Sequence, residues 1–168
     1  MGKIIVITDT SVLINFLVVD QAALLAQLPA YRFVVTEHVR AEITEHYLDQ
    51  LQRLEAAFAA EILEEIRVTD LQEVQLFAEL TSIGLGIGEC SAIAVAAHRQ
   101  LPLAIDDKRA VKQLKQAGLN LAIQSTESIM VLLIQQAVLS IPAADAIKRD
   151  WEDNHRFRLN FVSFKERI

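Results

Sequence analysis

Short apolar runs alternate with longer amphipathic segments along the whole chain. The runs are rich in Ile, Val, Leu and Phe, and each is brief enough to be a buried strand. Strands are predicted on this basis over residues 3–8, 32–35, 67–69, 103–105 and 121–123. Near the end of the chain, the segment FRLNFVSF alternates apolar and polar positions, which favours either an edge strand or a packed C-terminal arm.

The longer segments repeat their apolar positions every three or four residues, as helices do. Asp70 suits a helix N-cap because Glu73 follows three residues later, which is the pattern of a capping box. Helices are predicted over residues 11–18, 21–28, 37–47, 48–65, 71–83, 89–99, 108–117, 126–139 and 143–154. Strands that alternate with helices indicate an α/β fold built on a mainly parallel sheet.

Composition narrows the class of protein. A chain of 168 residues with 52% hydrophobic residues is expected to fold as one domain rather than remain disordered. No apolar run reaches the about 18 to 20 residues that span a membrane, and the first residues predict a strand rather than a signal peptide. The single cysteine, Cys90, excludes an internal disulfide and is expected to be a small core residue of a cytoplasmic protein. The net charge of −6 argues against a generally basic nucleic-acid-binding surface.

Acidic residues follow two of the predicted strands. Asp9 comes directly after the first strand, and Asp106 and Asp107 follow the fourth. Because right-handed crossovers bring the carboxyl ends of parallel strands to one edge of a sheet, we expect these acids to meet there. Each could also be an ordinary N-cap of the helix that follows. Adjacent residues of a strand point to opposite sides, so the sequence leaves open whether Asp106 or Asp107 faces the site.

Two further acids lie on predicted helices. Glu89 is in the first turn of GIGECSAIAVAAHR, a helix so uniformly small and apolar that it is predicted to be buried, although the helix dipole alone would favour an acid there. Glu42 lies in TEHVRAEITEHY, where a solvated helix face is the simpler explanation. His38 and His46 share that face with Glu42 and could imitate a zinc site, but their spacing is not that of the HExxH motif.

Four of these segments together resemble the PIN domain family, which includes the metal-dependent ribonucleases of VapC-type toxins. They are VITDTSVLI, VRAEI, GECSAIAVA and LAIDDKRA, in that order along the chain. The DDKRA ending is most similar to the PIN-like subfamily DUF3368. The resemblance covers about residues 1–123 and leaves residues 126–168 as a helical extension. It implies a three-layer α/β/α fold with a central, mainly parallel sheet, in a single domain spanning residues 1–168.

The resemblance also implies roles for the acids. Carboxylate oxygen is the ligand that Mg²⁺ and Mn²⁺ prefer, and a divalent cation relieves the repulsion among crowded acids. The expected catalytic acids are Asp9, Glu42, Glu89 and either Asp106 or Asp107. The expected metal ligands are Asp9, Glu89, Asp106 and Asp107.

Residues beside these acids have expected roles of their own. Ser11 matches the hydroxyl residue that orients the first acid in the family. Lys108 and Arg109 follow the last acids and could steer a phosphate, or could simply begin a solvated helix. Toxins of this family commonly have Thr two residues before the last acid, whereas this chain has Ile105 there, counting to Asp107.

The function implied by the resemblance is hydrolysis of RNA phosphodiesters, with Mg²⁺ or Mn²⁺ activating a water. The expected partners are RNA, a small antitoxin protein and a second copy of the chain. The apolar helix around residues 126–139 could form the interface with that copy, and deep core packing explains its apolar residues equally well. One alternative is a PIN-like binding module with little catalysis, which Ile105 and the acidic charge favour. Another is a haloacid dehalogenase-like phosphatase, but Ser11 stands where that family needs its second Asp.

Overall fold

The strands form one parallel sheet in residues 2–168, the part of the chain that the computed structural model describes. In chain order they are Ile4–Thr8 (β1), Tyr31–Thr36 (β2), Glu64–Ile66 (β3), Leu103–Ala104 (β4) and Ile123–Gln124 (β5). Their order across the sheet is β3-β2-β1-β4-β5, and every neighbouring pair is parallel. The parallel sheet predicted from the apolar runs is confirmed.

Helices flank the sheet and make the predicted three-layer α/β/α fold. They are Thr10–Val18 (α1), Ala23–Ala26 (α2), Glu37–His46 (α3), Leu51–Ala59 (α4), Leu71–Ser82 (α5), Ile87–Arg99 (α6), Lys108–Gln116 (α7), Thr126–Gln135 (α8) and Ile141–Asn154 (α9). Asp70 and Glu73 form the predicted capping box at the start of α5. Within residues 2–168, no helix has the length and apolar character needed to cross a lipid bilayer.

The central position of β1 determines where a ligand can bind. The chain passes from β1 to β2 on one side, while β4 pairs with β1 on the other side, with Ile7 opposite Leu103. The order of strands therefore reverses between β1 and β4, and the crevice beyond such a reversal is the usual binding site of parallel α/β sheets. The N–H of Asp9 donates to the carbonyl oxygen of Ala104 at 2.9 Å, so the acids that follow both strands lie at this crevice, as predicted.

Helix α6 packs across β1 and β2 and against α3 and α5. Its residues from Cys90 to Ala96 are buried, and their small side chains let neighbouring backbones come close. Cys90 is thus the buried core residue that the sequence predicts, and burial raises the pKa of its thiol to about 11. An apolar helix in this position brings its first turn, with Glu89, to the sheet edge.

Two elements between β2 and α5 differ from the prediction. The helix predicted over residues 48–65 is a 3₁₀ turn, Leu48–Gln50, followed by α4, which ends at Ala59 because Glu61 has a left-handed backbone with φ 57°. Strand β3 then occupies residues 64–66, three residues before the predicted 67–69. Apolar patterning missed it because β3 is an edge strand whose two acids, Glu64 and Glu65, pair with Arg32 and Arg40.

Other boundaries are shorter than predicted. Helix α2 covers four residues rather than residues 21–28, and Pro29 disfavours helical geometry in the residue before it. Helix α8 stops at Gln135, and Ala137 has a left-handed φ of 58°. The tail is not an edge strand in residues 156–168; it is the packed arm that the sequence offered as its alternative, and it ends in the 3₁₀ turn Phe164–Arg167.

The C-terminal helices complete the core next to the crevice. Ile129, Met130 and Leu133 of α8 are buried within the chain, so the predicted pairing of this helix with a second copy has only half-buried residues such as Val131 and Leu132 to use. Trp151 of α9 is fully buried and meets Phe16 edge to face at 6.2 Å. These contacts join the C-terminal extension to the first helix.

Trp151 is expected to stabilise the fold through both its hydrogen bond and its volume. The indole N–H donates to the carbonyl oxygen of Asn15 at 2.7 Å. Trp151→Phe, which loses that bond and some volume, should lower the free energy of unfolding by about 1 to 3 kcal/mol, and Trp151→Ala by about 3 to 5 kcal/mol. Urea unfolding followed by circular dichroism measures both. Equal stability of wild type and Trp151→Ala would show that α9 is not part of the cooperative core.

Candidate active site at the β1–β4 crevice

Asp9 is the most deeply buried of the candidate acids, with 2% of its surface exposed. It caps α1: its Oδ2 accepts hydrogen bonds from the backbone N–H of Ser11 at 3.1 Å and from the Ser11 hydroxyl at 2.6 Å. Its other oxygen, Oδ1, is buried and has no hydrogen-bond partner in the described part of the chain. Capping therefore accounts for one carboxylate oxygen and leaves the other without a structural role.

The Ser11 hydroxyl also binds the end of the neighbouring strand. Its Oγ accepts the backbone N–H of Asp106 at 3.0 Å while donating to Asp9. The carboxylate of Asp106 turns away to α8, where it accepts the N–H and the hydroxyl of Thr126, and it also accepts the Asn15 side-chain amide at 3.0 Å. Both oxygens of Asp106 are thus occupied, and burial raises the pKa of this carboxyl.

Asp107 takes the opposite direction and lies on the side of Glu89. Its Oδ1 caps α7 by accepting the N–H groups of Arg109 at 2.9 Å and Ala110 at 3.2 Å. Its carboxylate lies near that of Glu89 and helps to raise the pKa of Glu89. The structure thus shows that Asp107, and not Asp106, lies on the side of Glu89, a choice that the sequence left open.

Glu89 and Glu42 complete the group of acids. Glu89 Oε1 accepts the N–H of Gly86 at 3.2 Å, whereas its Oε2 is buried without a donor among residues 2–168. Glu42 Oε2 accepts the Thr10 hydroxyl at 3.0 Å and lies against Gly88, where an added Cβ would come within 2.2 Å of it. Glu42 is therefore turned toward the crevice rather than toward solvent.

Burial and the charge of neighbouring carboxylates raise the pKa of two of these acids, Asp9 and Glu89. Burial, with a smaller contribution from Glu42, raises the pKa of Asp9 to about 6, even though the bonds from Ser11 oppose the rise. Burial and the charge of Asp9 raise the pKa of Glu89 to about 7. Since Glu42 raises the pKa of Asp9, and both Asp9 and Asp107 raise the pKa of Glu89, the four carboxylates form one connected set.

The donor set fits a hard divalent cation. The two unpartnered oxygens, Asp9 Oδ1 and Glu89 Oε2, belong to carboxylates that repel each other, which is the situation that a bound cation relieves. No three His, Cys, Asp or Glu side chains in residues 2–168 are close enough to enclose a metal on their own. A cation that binds through one or two carboxylates and keeps several waters, as Mg²⁺ does, needs no such enclosure.

The remaining predicted residues lie at or near the crevice. Lys108 and Arg109 begin α7 with exposed side chains beside Asp107. His38 packs on Phe77 at 4.9 Å between ring centroids, and no metal-binding group includes it in the described residues, so the zinc-like pattern on α3 has no structural support.

Sequence reasoning missed four residues that shape the site: Thr10, Asn15, Gly88 and Thr126. Of these, Asn15 is a polar residue within the apolar run VLINFL, which is a signal that a scan for buried polar positions would have found, whereas Thr10 and Thr126 have polar neighbours in the sequence. Gly88 carries no such signal, because its importance depends on Glu42, which is distant in sequence.

Asp9→Asn should stabilise the protein at neutral pH. A carboxyl whose pKa rises from 3.8 to about 6 on folding contributes fully below pH 4, and that contribution is lost as pH rises through 6. The loss is on the order of 3 kcal/mol, which Asn avoids while still accepting from Ser11. In chelator at pH 7.5 the thermal midpoint of Asp9→Asn should exceed that of wild type, and the difference should shrink toward pH 4. The exposed Asp153→Asn is the control; a lower midpoint for Asp9→Asn would contradict the raised pKa.

Comparisons with known proteins agree with this architecture. The DUF3368 family model, described as a PIN domain, matches residues 5–160. Two solved structures share the fold: VapBC-1 from nontypeable Haemophilus influenzae, with 15% identity, a TM-score of 0.54 and 73% of this chain and 98% of that chain covered, and PAE2754 from Pyrobaculum aerophilum, with 14% identity, a TM-score of 0.53 and 80% and 90% covered. No curated protein matches the chain. Since the family model spans nearly the whole sequence, the chain belongs to the PIN domain family.

Proposed function

We propose that the protein is a metal-dependent endoribonuclease that hydrolyses phosphodiester bonds of RNA. Membership of the PIN family supports a nuclease, because family members are generally nucleases that use divalent metals. The observation that carries the proposal is the pair of buried, unpartnered oxygens of Asp9 and Glu89 at the sheet's switch point. A structural role alone would leave no reason for two repelling carboxylates to be buried there.

The four acids have distinct roles in this proposal. Asp9 and Glu89, each with an unpartnered oxygen, would hold Mg²⁺ or Mn²⁺, Asp107 would add a carboxylate beside Glu89, and Glu42 would add negative charge beside Asp9. Bound there, the cation would lower the pKa of a water and neutralise charge on the phosphate. Attack by that water would leave 5′-phosphate and 3′-hydroxyl ends.

Asp106 is proposed as a positioning residue rather than a ligand, because both of its oxygens already accept bonds from Thr126 and Asn15. Ser11 keeps Asp9 in its rotamer and ties it to the Asp106 backbone. Lys108 and Arg109 are proposed to attract the RNA phosphates from the rim of the crevice.

The proposed setting is a toxin–antitoxin pair in the cytoplasm. VapC-type toxins, which the sequence motifs resemble, are held inactive by a small antitoxin, and we propose such a partner here. A homodimer through the half-buried side of α8 remains part of the same proposal.

A second candidate function is binding without cleavage. The absence of a preformed metal enclosure in residues 2–168 favours this reading, as does Ile105 in place of Thr. Calorimetric titration with Mn²⁺ separates the two: the nuclease should bind Mn²⁺ with heat that Asp9→Asn abolishes, and a wild type that binds no Mn²⁺ would overturn the nuclease proposal.

The two adjacent aspartates offer a sharp test of the assignment. Asp107→Asn should reduce Mn²⁺-dependent cleavage of a panel of RNAs about a hundredfold or more, with little change in stability, because Asn can still cap α7. Asp106→Asn should instead lower the free energy of unfolding by about 1 to 3 kcal/mol, since its new amide donors face the amide of Asn15.

Chelator and Asp9→Asn controls exclude a contaminating ribonuclease in that test. If Asp106→Asn abolished cleavage at full stability while Asp107→Asn remained active, the assignment of the fourth acid would be reversed.

Gly88→Ala should reduce activity without unfolding the protein. The new Cβ would lie 2.2 Å from Glu42 Oε2, the end of a flexible side chain that can move aside at the expense of its bond to Thr10. Cleavage should fall about tenfold or more, while the thermal midpoint changes little. Gly2→Ala, whose Cβ would have open space, is the matched control. Full activity of Gly88→Ala would show that the position of Glu42 does not matter.

A further inference from the structure

A cleft of about 570 Å³ begins at the end of β4, on the side to which Asp106 turns, and is bordered by the C-terminal arm. At one end it is lined by Asp106 and Lys108, which follow β4. At the other end it is lined by residues 157–160 and by Arg167 of the arm. The cleft therefore leads from the end of β4 to a part of the chain that lies outside the four sequence motifs.

The arm is a fixed wall rather than a loose tail. Asp145 of α9 accepts the Ser163 hydroxyl at 2.6 Å and the N–H of Phe164 at 2.8 Å, and Phe164 is fully buried. Arg167 pairs with Glu127 of α8 at 3.1 Å and lies over the ring of Phe161. A ligand entering the cleft would meet a surface that is already ordered, which limits the entropy lost on binding.

The charged side chains that line the cleft are positive on balance, with Lys108, Arg158 and Arg167 against Asp106 and Glu127. Its two carboxylates are engaged, Asp106 by Thr126 and Asn15 and Glu127 by Arg167. Lys108 and Arg158 are exposed and make no ion pair within residues 2–168. In a protein with a net charge of −6, two cations without ion-pair partners on the walls of one cleft at the end of β4 indicate attraction for an anion.

An aromatic ring accompanies these cations. Phe157 lines the cleft and is held by Trp151, with ring centroids 5.2 Å apart in an edge-to-face arrangement. A cationic groove that also offers an aromatic side chain is the usual composition of sites for single-stranded nucleic acid. The volume lies within the about 300 to 1,000 Å³ of typical small-molecule sites, which is sufficient for a nucleotide.

We propose that this cleft is a subsite for single-stranded RNA, binding one nucleotide of a strand that passes the end of β4. Arg158 and Lys108 contact its phosphate, and Phe157 contacts its base. This proposal rests on the proposed function, because the bound RNA is taken to be the strand that the acids cleave. It gives the C-terminal arm a role in substrate binding.

RNA binding to the Asp9→Asn protein, which is expected not to cleave RNA, tests the subsite. A labelled pool of random-sequence, single-stranded 12-nucleotide RNA is titrated with the Asp9→Asn protein at low salt, and anisotropy reports the dissociation constant. Adding Arg158→Gln should weaken binding about threefold to tenfold and reduce the salt dependence by about 0.7 of a logarithmic unit, the value for one lost phosphate contact on a single strand. Arg149→Gln, which removes an exposed Arg of α9 outside the cleft, should leave binding unchanged.

The outcomes separate this subsite from the nuclease itself. If Arg158→Gln and Arg149→Gln bind RNA equally, or if the Asp9→Asn protein binds no RNA, the subsite is overturned whatever the wild type cleaves. If the wild type cleaves no RNA with Mg²⁺ or Mn²⁺ but binding still depends on Arg158, the subsite stands and the nuclease proposal fails. Ultraviolet cross-links from a 4-thiouridine-substituted pool should fall within residues 156–160, and cross-links confined to other segments would overturn the placement.

Discussion

The hydroxyl of Ser11 joins the carboxyl ends of two neighbouring strands, and the rest of the crevice depends on that junction. It donates to Asp9 after β1 and accepts the backbone N–H of Asp106 after β4. One small side chain thereby fixes the rotamer of the most buried acid and the direction in which the chain leaves the adjacent strand. Because successive residues of extended backbone point to opposite sides, fixing the Asp106 backbone also directs Asp107 toward Glu89. The positions of Asp9, Asp106 and Asp107 thus all depend on the two hydrogen bonds of the Ser11 hydroxyl.

The cost of this arrangement is electrostatic. Two carboxylates with pKa values raised to about 6 and about 7 oppose folding at neutral pH, and a protein selected for stability alone would not keep them. The surrounding structure tolerates them because it is well packed: α6 is buried along most of its length, and Trp151 closes the core beneath the first helix. Destabilising groups that are kept at one place and offset by good packing elsewhere usually indicate a functional site. The same reasoning explains why Glu89 lies in the first turn of an otherwise apolar helix.

Much of the architecture could be predicted from the sequence, because the central strands β1, β2 and β4 are buried on both faces and therefore form short apolar runs. The edge strand β3 could not, since its exposed position admits Glu64 and Glu65, and paired acids hide a strand from an apolar pattern. Asp9, Asp106 and Asp107 could be brought to one edge of the sheet by topology alone. The contacts of Glu42 with Thr10 and Gly88 could not be predicted, because they join helices whose relative position depends on packing rather than on any local pattern.

The Ile at position 105 illustrates how tertiary contacts can replace a motif residue. In the sequence, Ile105 stands two residues before Asp107, where toxins of the family commonly have the hydroxyl of a Thr. In the fold, Ile105 is 1% exposed and belongs to the core, while the hydroxyls near the strand end come from Ser11 on one side and Thr126 on the other. The side-chain amide of Asn15 donates to the Thr126 hydroxyl, and the backbone carbonyl oxygen of Asn15 accepts the indole N–H of Trp151. The C-terminal helices therefore support the strand end from behind, and they continue into the arm that borders the neighbouring cleft. A chain cut after the last sequence motif would keep all four acids and lose what positions Asp106, so the extension belongs to the site as much as the motifs do.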